Sequence, residues 1–106
     1  MNERWFHMLV SIAEGSCHGA EIQRRVHDRT NDAVKLYPVT LYRSLDEMDA
    51  AGLIEEAPLP ADAEHNERRR YFRITAEGKK ALAAEAAALE EAARMAHAVL
   101  GSRTAG

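Results

Sequence analysis

A single cysteine, Cys17, stands among 106 residues, with three prolines, one tryptophan, two phenylalanines and three tyrosines. One thiol excludes an intramolecular disulfide, so the chain reads as a reduced, cytoplasmic protein that must hold itself together by packing. No apolar run approaches the ~20 residues needed to cross a bilayer, and no membrane partner is expected. The stretch Met8 to Ala13, preceded by Arg4, is too short for a signal peptide and is ended by Glu14; it reads as the buried face of a first helix. Neither sign of charge dominates: 14 Lys and Arg face 17 Asp and Glu, a net charge of -3. That excludes a uniformly basic nucleic-acid coat, so any nucleic-acid site must be local. A glycine-rich phosphate loop is missing. Cys17-His18, His7, His27, His65 and His97 form no CxxC or HExxH pair, and Cys17 has no basic and orienting partners at useful spacing. No catalytic residue, metal or cofactor is expected, and the chain is not read as an enzyme.

What the sequence does have is 46% apolar and 29% charged residues, enough for one globular domain with a core and too little for two. Trp5, Phe6, Leu9, Ile12 and Ala13 recur at three- and four-residue steps along one side of a first helix closed by Gly15. A turn from Gly15 to Gly19 leads into a second helix, about His18 to Arg29, with Ile22 and Val26 inward. Pro38 suits the first turn of a third helix, which runs to a stop at Gly52. Leu53 to Ala57 reads as a short strand. After a polar loop, Arg69 to Thr75 reads as a second strand, with Phe72 and Ile74 on one face and Tyr71 and Arg73 on the other. Thr75 caps a long helix from about Ala76 to Leu100, rich in Ala, Glu and Leu, and residues 101–106 read as a frayed tail.

Three helices followed by a hairpin predict a mainly α fold with a small β-hairpin, a winged helix-turn-helix over 1–75. The helix over 76–100 belongs to the same compact unit. On the third helix Leu41, Leu45 and Met48 point inward, leaving Val39, Thr40, Arg43 and Glu47 outside and Tyr42 on a flank. Its second half is acidic (Asp46, Glu47, Asp49), so only its first turns suit DNA; an ordinary solvated helix is the competing reading. The run Arg68-Arg69-Arg70 with Arg73 sends Arg69 and Arg73 outward, where guanidinium groups bind phosphate with paired donors, while Arg70 is free to pack on its own domain. The competing reading is a charge-blunted edge strand. Leu82, Ala86, Leu89, Ala93, Ala96 and Leu100 form a heptad seam with small residues. It either packs on its own domain or buries itself, with the Trp5 and Phe6 surface, against a partner subunit.

His18-Gly19, Thr40-Leu41-Tyr42 with Leu45, Ala51-Gly52-Leu53-Ile54, and Arg68 to Thr75 with Gly78, in this order and spacing, resemble the PadR family of bacterial transcriptional regulators. The resemblance covers nearly the whole chain, and the single last helix resembles the family's compact branch. Ala20 departs from the aromatic residue usual after His-Gly. The resemblance implies a dimeric winged-helix binder of double-stranded operator DNA, usually a repressor, released by a small hydrophobic or phenolic effector. It places Tyr42 on the DNA backbone, Thr40 and Arg43 at the groove, and Arg69 and Arg73 on the wing. It also makes the first and last helices the homodimer interface, here Trp5, Phe6, Leu9, Leu82, Leu89, Ala93, Ala96 and Leu100. Trp5 is an aromatic wall for an effector or plain interface core. The alternative function is a winged-helix module that binds another protein and no DNA.

Overall fold

The computed structural model describes residues 1–61 and 69–105, with side chains through residue 101. Arg68 and His65 therefore lie outside the described residues. The elements are α1 (Glu3–Ala13), β1 (Cys17–His18), α2 (Gly19–Arg29), α3 (Pro38–Ala50), β2 (Ile54–Ala57), β3 (Tyr71–Ile74) and α4 (Ala76–Ala105). The fold is mainly α with a small antiparallel sheet ordered β1-β3-β2, a winged helix-turn-helix. No helix among the described residues is long and apolar enough to cross a membrane.

Each helix begins and ends for a local reason. The Asn2 side chain accepts the Trp5 N–H at 2.7 Å and starts α1. Pro38 opens α3 at a position whose N–H would go unpaired. Gly52, at φ +79°, ends it; the Leu53 N–H then reaches back to the Met48 carbonyl at 3.0 Å. The three helices enclose one core: Met8, Leu9 and Ile12 from α1, Ile22 and Val26 from α2, Leu41, Leu45 and Met48 from α3. Cys17, Ile54 and Phe72 close it from the sheet. Burying each large side chain contributes roughly 1.5–3 kcal/mol against the chain entropy of folding.

The connection from α2 to α3 is fastened to α2. Leu36 is wholly buried; its N–H donates to His27 Nε2 at 2.8 Å and its carbonyl accepts from Gln23. The Thr30 hydroxyl accepts the Val34 N–H at 3.1 Å and donates to the Val26 carbonyl at 2.7 Å.

Three expectations need correction. The stretch read as a turn contains β1, whose Cys17 and His18 pair with Phe72 and Tyr71, so the hairpin is part of a three-stranded sheet. A two-residue strand carries no periodicity of its own; the β3 backbone fixes it. Tyr71 does not share an open face with Arg73, because the His18 ring covers it edge-on, with centroids 5.2 Å apart at 85°. Finally α4 continues past Leu100 to Ala105. A lone glycine such as Gly101 costs about 1 kcal/mol in a helix, a penalty and not a stop, and this one lacks the positive φ of a terminating cap.

Candidate nucleic-acid interface

The two faces of α3 are sharply different. Inward, Leu41, Ser44, Leu45 and Met48 are buried, and Ser44 Oγ accepts from Arg4 Nε at 3.2 Å. Outward, the start of the helix presents large side chains to solvent: Tyr37 is 65% exposed, Val39 70% and Tyr42 51%. Arg43 is exposed beside them and Thr40 is half-buried. Exposed aromatic and β-branched side chains at a positive helix end are chemically suited to a polyanion with apolar groups on its bases.

Tyr42 leans on the start of α2. A Cβ built on Gly19 would meet the Tyr42 ring and hydroxyl at 3.0 Å, so the glycine makes room for the tyrosine. The preceding His18 caps α2: its Nδ1 accepts the Glu21 N–H, and the Glu21 carboxylate accepts the His18 N–H, both at 3.3 Å. Arg69 Nη1 stands 3.0 Å from His18 Nε2. Between these groups lies a cleft of about 320 Å³ lined by His18, Gly19, Ala20, Tyr42, Arg69 and Arg70. A helix N-terminus, a phenol and a guanidinium converge there, a set of groups able to donate hydrogen bonds to a phosphate oxygen. Of the expected site, the structure brings Tyr42 and Arg69 together; Arg43 and Thr40 lie along α3. The sequence named Tyr42 and Arg69 as site residues and His18-Gly19 as part of the resemblance, but nothing in it joined the four into a cleft.

The rest of the wing is differently disposed. Arg73 is on the outer face as expected, but its Nε and Nη2 both donate to Glu55 Oε2, at 3.2 and 2.9 Å. Glu55 is its register partner across the two strands. Arg70 packs on its own domain: it pairs with Glu56, reaches Asp46 of α3 at 3.4 Å, and lies over the Phe72 ring at 5.1 Å. The Glu56 hydrogen bond raises the Arg70 guanidinium above its ordinary value despite partial burial, with Asp46 adding to it. Sequence reasoning missed Glu55 and Glu56, although equal-length strands in antiparallel register place Glu55 opposite Arg73.

The expected subunit-interface residues fall into two groups. Leu9 is a correction: it is wholly buried in the core of its own protomer and has no surface to offer a partner. Trp5 and Leu82 are partly buried and pack against that same core. Leu89, Ala93, Ala96 and Leu100 are exposed, joined by Met95 and Val99, which the seam did not include. A cleft of about 460 Å³ opens between α1 and α4, lined by Met1, Glu3, Phe6, His7, Glu85 and Leu89. Trp5 does not line it; its Nε1, like His7 Nδ1, is buried without a hydrogen-bond partner among the described residues.

Cys17 is buried, and burial pushes its thiol up to about 11, outweighing the Arg25 charge that lowers it. A thiol so protonated is unreactive at neutral pH. Among the described residues no group of three His, Cys, Asp or Glu is placed to hold a metal.

Residues 8–84 match the transcriptional regulator PadR-like family. The chain belongs to the PadR-like family. It is 34% identical over 102 residues to the transcriptional regulator Rv3488 of Mycobacterium tuberculosis, covering 94% of this chain and 87% of that protein. The fold is shared with a PadR family transcription regulator from Clostridium difficile R20291, at TM-score 0.77 and 21% identity over 93% of this chain and 99% of that one. Bacillus subtilis PadR, solved in complex with operator DNA, superposes at TM-score 0.66 and 16% identity over 77% of this chain and 45% of that one. The PadR-like family consists of transcriptional regulators, so the chain is a regulator and not an enzyme.

Proposed function

We propose that this PadR-like regulator binds double-stranded operator DNA as a cytoplasmic homodimer, represses transcription, and lets go when a small hydrophobic or phenolic effector binds. The observation that carries the reading is the outer face of α3, where Tyr37, Val39, Tyr42 and Arg43 project from a helix whose inner face is fully packed. The fold shared with a PadR solved on operator DNA supports it. In this reading the first turns of α3 enter the major groove with Thr40 and Arg43. Tyr42 and Arg69, at the α2 cleft, take the adjoining phosphate. The exposed face of α4 with Leu89, Ala93, Ala96 and Leu100 meets a second copy together with the Phe6 side of α1. Two recognition helices about 34 Å apart then read a two-fold-symmetric site. The cleft between α1 and α4 is the place for the effector, with Trp5 behind it rather than in its wall.

The test is recovery of fragmented source-genome DNA on the purified protein at near-physiological salt with competitor DNA. A sharp peak over a two-fold-symmetric motif is expected. A folded, dimeric sample that enriches nothing, and that instead forms a stable complex with another protein, overturns the reading in favour of a protein-interaction module.

A further inference from the structure

Arg70 and Arg73 of the wing stand beside a larger supply of negative charge. Arg73 is chelated by Glu55, and Arg70 is shared between Glu56 and Asp46, so two guanidinium groups face three carboxylates. All five side chains are solvent-exposed, so their field is what an approaching duplex meets. The pairing is built into the strand register, since β2 and β3 hold Glu55 opposite Arg73. At physiological salt the screening length is about 8 Å, so a phosphate at the wing surface senses both members of each pair.

We propose that Glu55 and Glu56 are attenuators of the wing: by neutralising Arg73 and Arg70 in cis they withhold both arginines from the DNA backbone and limit sequence-independent affinity for duplex DNA. The inference rests on the DNA-binding reading and goes beyond it, because it reverses the role that an arginine-rich wing strand invites. The wing then contributes shape, and the electrostatic work falls to the cleft at Arg69 and the start of α3. Counterion release gives this a direct signature. Each arginine engaged on a phosphate steepens the dependence of log affinity on log salt by about 0.9, and a neutralised arginine contributes little.

The experiment measures binding of the full chain to a labelled random-sequence duplex of about 30 base pairs by fluorescence anisotropy across a potassium chloride titration. Glu55→Gln is expected to tighten binding by roughly two- to fivefold and to steepen the salt slope by up to about 0.9, and Glu56→Gln, which leaves Arg70 with Asp46, to do both to a smaller extent. Glu90→Gln on α4 makes the same change of charge away from the wing and leaves both unchanged. The paired change Glu55→Gln with Arg73→Ala stays within about twofold of the parent with the parent slope, as removal of a neutral pair should. Three results overturn the proposal while leaving DNA binding intact: Glu55→Gln and Glu56→Gln without effect, Glu90→Gln matching them, or the paired variant losing affinity and slope. Absence of binding to the random duplex by the parent and by both glutamine variants, even at low salt, overturns the attenuators, whereas the DNA-binding reading stands or falls separately on recovery of a genomic motif.

Discussion

Gly78 and Leu53 meet backbone to backbone: a Cβ on Gly78 would stand 2.0 Å from the Leu53 carbonyl oxygen. That carbonyl already accepts the Thr75 N–H at 3.1 Å, and the Thr75 hydroxyl accepts the Gly78 N–H at 3.0 Å while donating to the Gly52 carbonyl at 2.6 Å. The start of α4 is thereby locked to the turn that ends α3. Gly78→Ala must force α4 off the sheet and is expected to cost on the order of 3 kcal/mol, read as a lowered urea midpoint. An unchanged midpoint would mean that the contact is not tight in solution.

Gly19→Ala is the opposite case. The atoms in its way belong to the movable Tyr42 ring, at 3.0 Å, and alanine is a better helix residue than glycine. Stability should stay within about 1 kcal/mol of the parent. DNA affinity should fall, because Tyr42 is displaced from the cleft. Tyr42→Phe, which deletes only the hydroxyl, should weaken binding by about tenfold or less, and Arg43→Ala by at least as much. Affinity measured on the recovered operator, beside urea melts, separates these effects from unfolding.

Leu9 and Leu89 should part company. Leu9→Ala opens a hole in a core that excludes water and should cost about 2–5 kcal/mol of protomer stability. Leu89→Glu, at a side chain 48% exposed, should leave the protomer folded and shift sedimentation from dimer to monomer. A Leu89→Glu protein that sediments as the parent would remove this part of α4 from the proposed interface.

Alkaline pH gives a fourth expectation. The fold holds the Cys17 proton up to about 11, above its ordinary value of 9.0, whereas the unfolded chain releases it near that ordinary value. The native state therefore binds more protons between those values, and its stability falls as pH rises through them, having been constant below. Cys17→Ala lacks this loss. Its deficit against the parent at pH 7 should shrink toward alkaline pH, by on the order of 2 kcal/mol at the far end. Urea unfolding of both proteins from neutral to alkaline pH checks the sign; a constant gap would show the thiol to be less sheltered than its burial implies.

Helix positions were legible in the sequence because α1, α2 and α3 each bury one face, and a 3.6-residue period records that directly. The same period does not say what covers the face. Leu9 fell in the same stripe as Trp5 and Phe6, yet it is wholly buried in the core of its own chain, where a partner cannot reach it. On the wing, alternation placed Arg73 outward correctly, but its engagement by Glu55 depends on strand register, a relation between segments separated by a polar loop. Short β1 and the burial of Tyr71 beneath His18 belong to the same class: they arise from neighbours in space and leave no local pattern.

The connection that carries Leu36 also has a mechanical consequence. With its backbone held by His27 and Gln23, and Val34 held by Thr30, the segment before Pro38 has little freedom to hinge. The start of α3 is therefore tied to α2, while its far end is tied to the start of α4 through the Thr75 bonds to Gly52 and Leu53. Held at both ends, α3 can change its angle only if α2 and the start of α4 move with it, so in the proposed regulator a distant change would reach the DNA-facing surface as a displacement of that whole frame and not as a bending of α3 alone.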